Sequence, residues 1–171
     1  MKIFLFGAVL LIGFYSAANA QTEKGNWHVG GSFELNTAKK NTIIGLSPTV
    51  GYFVAKNLSA GAVLNLAYQQ YGTASSTSFG IGPFARYYFG TLNFRPFLDT
   101  EVSFQSNAGN TGGEYFLGGG LAAFINRNVA VEALAGYRHT AYKDELGSGG
   151  LNLKIGFMVY ISRGEVVGMT R

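Results

Sequence analysis

The stretch FRPFLDTEVSFQS, from Phe94 to Ser106, alternates mostly apolar and mostly polar positions without a break. A period of two places alternate side chains on opposite faces of a β-strand, so the stretch predicts a strand with one apolar and one polar face. The apolar face carries Phe94, Pro96, Leu98, Thr100, Val102 and Phe104, and the polar face carries Arg95, Phe97, Asp99, Glu101, Ser103 and Gln105.

Seven further segments between Gly25 and Ser162 repeat this period, and turn-forming residues separate them. We therefore predict an all-β fold, an eight-stranded antiparallel up-and-down transmembrane β-barrel. The connections after the second, fourth and sixth strands are expected to be tight turns. The other four are expected to be longer loops, at residues 37–41, 72–77, 107–113 and 143–149. This alternation is typical of barrels whose short turns face the periplasm.

The first twenty residues have the features of a secretory leader. Lys2 precedes an apolar run at residues 3–14, and Ala18-Asn19-Ala20 matches an A-x-A cleavage site. The run is too short to span a bilayer as a helix, which needs about 20 residues. We expect a cleaved signal peptide at 1–20, a single barrel domain at 21–162 and a C-terminal tail at 163–171.

The composition fits a lipid-facing sheet better than a water-soluble domain. Charged residues make up 13% of the chain and aromatic residues 15%, whereas a soluble domain usually carries about 25% charged residues. There is no cysteine, which excludes disulfides and thiolate metal sites. The basic residues are scattered, and we expect no nucleic-acid partner because that function needs a basic face.

Alternation alone does not decide which face of the barrel is outside, because a soluble lipocalin-like barrel buries its apolar face. Three observations favour lipid on the outside: the apolar face carries almost no charge, the other face is too poor in charge to meet water, and aromatic residues gather near strand ends. Such aromatic residues form interfacial girdles in membrane proteins. We assign this role to Trp27, Tyr52, Tyr68, Phe89, Phe94, Phe104, Tyr115 and Tyr137.

With these features, the segment from Gly25 to Ser162 resembles the small eight-stranded outer-membrane β-barrel family, the OmpA-barrel and OmpX-like proteins. Residues 154–161 also resemble the family's last-strand assembly signal, with Lys154, then Gly156, then spaced hydrophobic residues. Members typically end on an aromatic residue, whereas this chain continues to Arg171. The resemblance implies a monomer in the bacterial outer membrane, with outer-membrane lipids including lipopolysaccharide and the barrel assembly machinery as partners.

The polar face carries charges of both signs, which must pair if they are buried in the barrel interior. We predict a structural ion-pair network in the lumen, formed by Glu34, Arg86, Asp99, Glu101, Glu132, Arg138 and Lys154. Arg86 and Asp99 are expected to pair across the hairpin of the fourth and fifth strands. Glu34, Arg138 and Lys154 are expected to cluster near the outer end.

An eight-stranded interior is just wide enough for side chains to fill it. Bulky inward residues would add to the ion pairs, so we expect no general porin channel; they are Phe53, Phe84, Tyr88, Phe97, Phe124 and Met158. Inward-facing glycines nevertheless leave room for a narrow path.

Catalytic and metal motifs are absent from the sequence. His28 and His139 are predicted near opposite ends of the barrel, and neither has an obvious serine or acidic partner. We expect an interfacial role for both histidines, no enzyme activity, no metal and no cofactor.

The sequence therefore predicts an integral outer-membrane protein with a structural or surface-interaction role. The alternative is a narrow pore or a transporter of small apolar ligands. A lipid-modifying enzyme and a soluble ligand-binding barrel rank lower.

Overall fold

The computed structural model describes residues 21–38, 41–72, 74–107, 110–143 and 147–163, with backbone alone at 35–38, 41–42, 71 and 74. The predicted leader at 1–20 and residues 164–171 of the predicted tail lie outside the described residues. Among the described residues, no helix is long and apolar enough to cross a membrane.

The chain forms one closed antiparallel barrel in which every strand pairs with its neighbours in sequence and the last pairs with the first. This confirms the predicted eight-stranded, all-β, up-and-down fold. The strands are β1 (Trp27–Ala38), β2 (Asn41–Ala55), β3 (Leu58–Tyr71), β4 (Ala74–Tyr88), β5 (Phe94–Asn107), β6 (Asn110–Phe124), β7 (Val129–Tyr142) and β8 (Ser148–Ile161).

The prediction of longer loops on one side of the barrel is wrong for three of the four connections. β4 begins at Ala74 and β6 at Asn110, so residues rich in Ser, Thr and Gly that were expected in loops continue the strands. In a closed sheet each strand has a neighbour on both sides to pair with, and this pairing favours extension whatever the local propensity. Gln69, for example, pairs with Ser76 near the hairpin tip.

The two ends of the barrel need separate names. We call the end that carries residues 21–26 and the connections at 56–57, 89–93 and 125–128 the terminal end, and the opposite end the loop end. Around the barrel the register shifts by about ten residues before it returns to β1, which corresponds to a strand tilt of about 40°.

Side chains alternate strictly between the lumen and the outer surface. In β5 every second residue from Arg95 to Gln105 is buried, and the residues between them are exposed, up to 77% at Phe104. The polar face therefore points into the barrel and the apolar face points out. This is the arrangement expected for lipid outside and the reverse of a lipocalin-like barrel.

The ladder between β1 and β8 is shorter than its neighbours. It pairs only Trp27–Phe33 with Ile155–Ile161, while β1 pairs with β2 along its whole length up to Ala38 and Asn41. Beyond Phe33 the two strands are linked through side chains, since Asn152 Nδ2 donates to Glu34 Oε1. We call this ladder the seam.

Candidate functional site

Residues 21–26, here called the N-terminal cap, fold against the terminal end of the lumen. Asn57 N donates to Thr22 O at 2.8 Å, and Thr22 Oγ1 donates to Asn57 Oδ1 at 2.6 Å. Asn57 has a φ of 63°, a left-handed conformation that asparagine tolerates in tight turns. Gly25 N donates to Phe53 O at 2.9 Å, so the cap is bonded to both β2 and the β2–β3 turn.

Arg95 holds the cap from inside the barrel. Its guanidinium donates from Nη1 to Thr22 Oγ1 at 2.7 Å and from Nη2 to Gln21 Oε1 at 3.3 Å. The same group lies 4.8 Å from the ring centre of Phe124, a cation–π distance. Arg95, Gln21 and Thr22 are all buried. Arg95 was predicted on the inward face, but its role in holding the cap was not predicted, because its cross-strand partner on β6 is Ala122 and not an acidic residue.

Directly above the cap lies an aromatic layer formed by Phe53, Tyr88, Phe97, Phe124 and Tyr160. All five side chains are buried, with ring centres 5.0 Å apart for Phe124 and Tyr160 and 5.5 Å apart for Tyr88 and Phe97. The hydroxyl groups of Tyr88 and Tyr160 lie 2.9 Å apart and share a hydrogen bond. Rings of this size, packed mostly at tilted angles, fill the cross-section of the lumen.

Arg86 forms the next layer with two carboxylates. Its Nη2 lies 2.6 Å from Asp99 Oδ2 and its Nη1 lies 2.6 Å from Glu132 Oε2. The structure thus contains the Arg86–Asp99 pair, and these residues are directly opposite in the β4–β5 register. Tyr160 Oη also donates to Glu132 Oε1 at 3.0 Å, which ties the layer to the aromatic rings below.

Lys154 does not join Glu34 and Arg138, contrary to prediction. Its Nζ reaches across the lumen to Glu101 on β5 and donates to Oε1 at 2.9 Å and to Oε2 at 3.0 Å. The reason is charge compensation: Glu101 is buried, and its cross-strand partners are Phe84 and Phe116, neither of which can neutralise it.

Glu34 and Arg138 do meet, in the layer nearest the loop end. Arg138 Nη1 lies 2.7 Å from Glu34 Oε2, and Arg138 Nε lies 3.5 Å from Glu114 Oε1. Thr140 Oγ1 also donates to Glu114 Oε2 at 2.9 Å. Glu114 was not part of the predicted network. It is the third charged residue of this layer, where Lys154 had been expected.

Between the Arg86 layer and the Lys154–Glu101 pair lies a cavity of about 10 Å³. Its lining includes Ser32, Thr49, Arg86, Glu101, Glu132 and Lys154. A volume of this size accommodates about one water molecule. At this cavity the Arg86 layer and the Lys154–Glu101 pair are thus separated by room for about one water molecule.

The aromatic residues assigned to girdles all lie on the outer face, in two groups. Trp27, Tyr52, Phe89 and Phe94 are near the terminal end, where Trp27 and Tyr52 pack edge to face at 5.1 Å. Tyr68, Phe104, Tyr115 and Tyr137 are nearer the loop end. Exposed apolar residues such as Ile81, Leu98 and Ile155 fill the band between the two groups.

The two histidines occupy different environments. His28 lies inside the barrel, fully buried, with its ring stacked on Tyr160 at 5.8 Å and its Nδ1 3.2 Å from Met158 Sδ. The expected interfacial role is therefore wrong for His28, because its strand parity directs it inward. His139 lies on the outer face and stacks on Tyr115 at 5.2 Å. Across the described ranges, no group of His, Cys, Asp and Glu is arranged to hold a metal ion.

A closed eight-stranded ladder, an apolar outer face and a filled polar interior define the fold class of the small outer-membrane β-barrels. Neisserial surface protein A has this fold, with 16% identity and a TM-score of 0.57 over 78% of this chain and 95% of that chain. The N-terminal β-barrel domain of Pseudomonas aeruginosa OprF matches 81% of this chain and 98% of its own length, at 17% identity and a TM-score of 0.52.

A third similar structure is the outer-membrane protein OprG of Pseudomonas aeruginosa, with 10% identity and a TM-score of 0.51 over 84% of this chain and 99% of that chain. At these identities the likeness concerns the fold. No protein-family model and no curated protein matches the chain.

Proposed function

We propose that this protein is an integral protein of the bacterial outer membrane whose barrel does not conduct, and that its role is structural or surface-interacting. In this role it is exported by a cleaved leader, is inserted by the barrel assembly machinery and acts as a monomer among outer-membrane lipids, including lipopolysaccharide. It needs no cofactor and carries no catalytic site.

The outer surface supports insertion in a membrane. Two groups of aromatic side chains border a band of exposed apolar residues, as girdles do in outer-membrane barrels. In water such a band would be far larger than the exposed apolar patches of soluble proteins. The fold shared with Neisserial surface protein A and the OprF domain supports the same location.

The single observation that carries the non-conducting role is the filled lumen. From the terminal end upward it contains the N-terminal cap with Arg95, the aromatic layer, the Arg86 layer and the Lys154–Glu101 pair. Side chains in each layer come from strands on opposite sides of the barrel, so each layer spans the interior. An ion would have to break buried charge pairs to pass, which is costly in a low-dielectric interior.

Location is tested by membrane fractionation followed by gel electrophoresis of boiled and unboiled samples. We expect recovery in the outer membrane and a faster-migrating band without boiling, because the closed barrel stays folded in detergent. Recovery in the soluble periplasm with one unshifted band would refute the proposal.

Conduction is tested by inserting the folded barrel into planar lipid bilayers and recording current, with a general porin as positive control. We expect no stepwise conductance across many insertions, with insertion verified independently by protease protection. Reproducible current steps would replace the structural role with the narrow-pore alternative.

A further inference from the structure

On the outer face near the loop end, Tyr137 and His139 of β7 lie over the glycines of β8. Gly149 is the register partner of His139. A methyl group built on Gly149 would collide with Tyr137 Oη and lie 3.0 Å from His139 Nδ1. A methyl group on Gly147 would lie 2.6 Å from His139 Nε2. The absence of side chains at these two glycines thus lets both rings lie across the neighbouring strand.

The polar atoms of the two rings converge above Gly149. Tyr137 Oη and His139 Nδ1 both lie within 3.0 Å of the position that a methyl group on Gly149 would take, so the two atoms are less than two hydrogen-bond lengths apart. Within the described part of the chain, no hydrogen bond is made by the His139 ring or by the Tyr137 hydroxyl. Tyr115 stacks on His139 at 5.2 Å and fixes its ring plane.

This position is at the border of the apolar band. Leu151 and Leu153 on β8 are 72% and 63% exposed, whereas Gly149, the next outward-facing residue towards the loop end, has no side chain. Gly113 on β6, opposite Ala141, has open space where its side chain would be. The two rings therefore lie where the exposed apolar side chains of β8 end.

We propose that Tyr137 and His139 bind the phosphate group of an outer-leaflet lipid headgroup above Gly149. A phenol and an imidazole can each donate one hydrogen bond, and phosphate oxygens accept bonds from both. The acyl chains of such a lipid would then lie along Leu151 and Leu153. The inference rests on the proposed membrane location and names one lipid contact within it.

The test uses the folded full-length barrel in detergent micelles, with purified lipid A carrying its phosphates as the probe. Retained lipid is measured by native mass spectrometry. Tyr137→Phe removes the hydroxyl alone, and His139→Gln removes the ring. Two variants are the matched controls. Tyr68→Phe changes a girdle tyrosine on β3, away from Gly149, and Gly150→Ala changes a glycine that has nothing within 4 Å of its side-chain position.

We expect the double variant Tyr137→Phe with His139→Gln to bind phosphorylated lipid A about a hundredfold more weakly than the natural chain, as for the loss of two hydrogen bonds to a charged group. The controls should bind normally. Equal binding by the double variant, or equal binding of dephosphorylated lipid A by the natural chain, would overturn the assignment. Displacement of the lipid by inorganic phosphate at low concentration would assign the site to free phosphate and also overturn it. A heat-shifted band in the same samples establishes that the barrel itself is intact, so failure here is distinct from failure of the proposed function.

Discussion

Arg86, Arg138 and Lys154 in the lumen each lie against a carboxylate, but they differ in how many carboxylates they hold. Arg86 bonds two carboxylates, Asp99 and Glu132. Lys154 and Glu101 have only each other as charged partners among the described residues. Because burial penalises uncompensated charge, the cost of removing a residue should depend on the charge left behind.

We predict that Arg86→Met lowers the free energy of unfolding much more than Asp99→Asn. Without Arg86 two carboxylates remain buried and unpaired, which costs about 3–5 kcal/mol. Without the Asp99 charge the Arg86–Glu132 pair remains, so the loss should be about 1–3 kcal/mol. Urea unfolding from lipid vesicles measures both. Lys56→Met is the control, since its pair with Glu23 is exposed and exposed pairs contribute little. Similar losses for Arg86→Met and Lys56→Met would contradict the prediction.

A second prediction concerns Lys154 and Glu101. Lys154→Met should destabilise the barrel by about 3–5 kcal/mol because Glu101 loses its cation. Adding Glu101→Leu should restore most of that stability, since apolar replacements of a buried pair are often neutral. The double-mutant cycle is read from urea midpoints in vesicles. If the loss of unfolding free energy in the double variant equals the sum of the losses in the two single variants, the two residues are not coupled.

At this scale the sequence predicted the contact of Arg86 with Asp99 within a hairpin and that of Glu34 with Arg138, and it failed for Lys154. Arg86 and Asp99 pair because the β4–β5 register places them opposite each other, and that register follows from a short turn. Lys154 reaches β5 from β8, which no local pattern encodes. The role of Arg95 was not predicted either, because its partners Gln21 and Thr22 lie outside the strands.

Among the elements, the N-terminal cap is the one that no strand pattern predicted. Its residues have no period of two, and its bonds go to a turn, to β2 and to a buried arginine. The strands themselves were predicted from their alternation. Their loop-end limits were wrong because Ser, Thr and Gly favour turns locally, whereas the closed ladder supplies partners that extend the strands.

We predict that Thr22→Val loosens the N-terminal cap without unfolding the barrel. The substitution keeps the shape of the side chain but removes the hydroxyl that joins Arg95 to Asn57. Trypsin should then cleave after the exposed Lys24 several-fold faster, while the heat-shifted gel band remains. Thr111→Val, at an exposed position of β6, is the control. Equal cleavage rates for the two variants would show that the hydroxyl does not hold the cap.

The whole molecule is organised by depth, with an apolar band outside and charged layers inside. Its topology was predictable from the sequence because it follows from a strict period of two over eight segments, and its sidedness followed from the near absence of charge on the apolar face. The contents of the lumen were predictable as a list of inward residues. Their pairing was predictable for Arg86 with Asp99 and for Glu34 with Arg138, and not for Lys154 with Glu101.

The depth of a residue in the membrane should also govern how much an arginine substitution on the outer face lowers the free energy of unfolding. Ile155 is 67% exposed in the middle of the band, and Ile161 ends the same strand at the terminal end. We predict that Ile155→Arg lowers the free energy of unfolding in vesicles by about 2–4 kcal/mol, as for arginine at the midplane of a bilayer. Ile161→Arg should lower it by about 0–1 kcal/mol, as for arginine at the interface. Urea unfolding from vesicles compares the two. Equal costs would mean that the band does not lie in the hydrocarbon core.

The short seam gives the barrel a preferred order of opening. Only the segment from Trp27 to Phe33 is hydrogen-bonded to β8, while β1 is bonded to β2 along its full length. Separation of β1 from β8 therefore breaks fewer backbone bonds than separation of any fully paired neighbours. The first and last strands meet at this seam, so its pairing closes the barrel. The same closure covers the edges of Trp27–Phe33 and Ile155–Ile161, onto which a second chain could otherwise add in an aggregate.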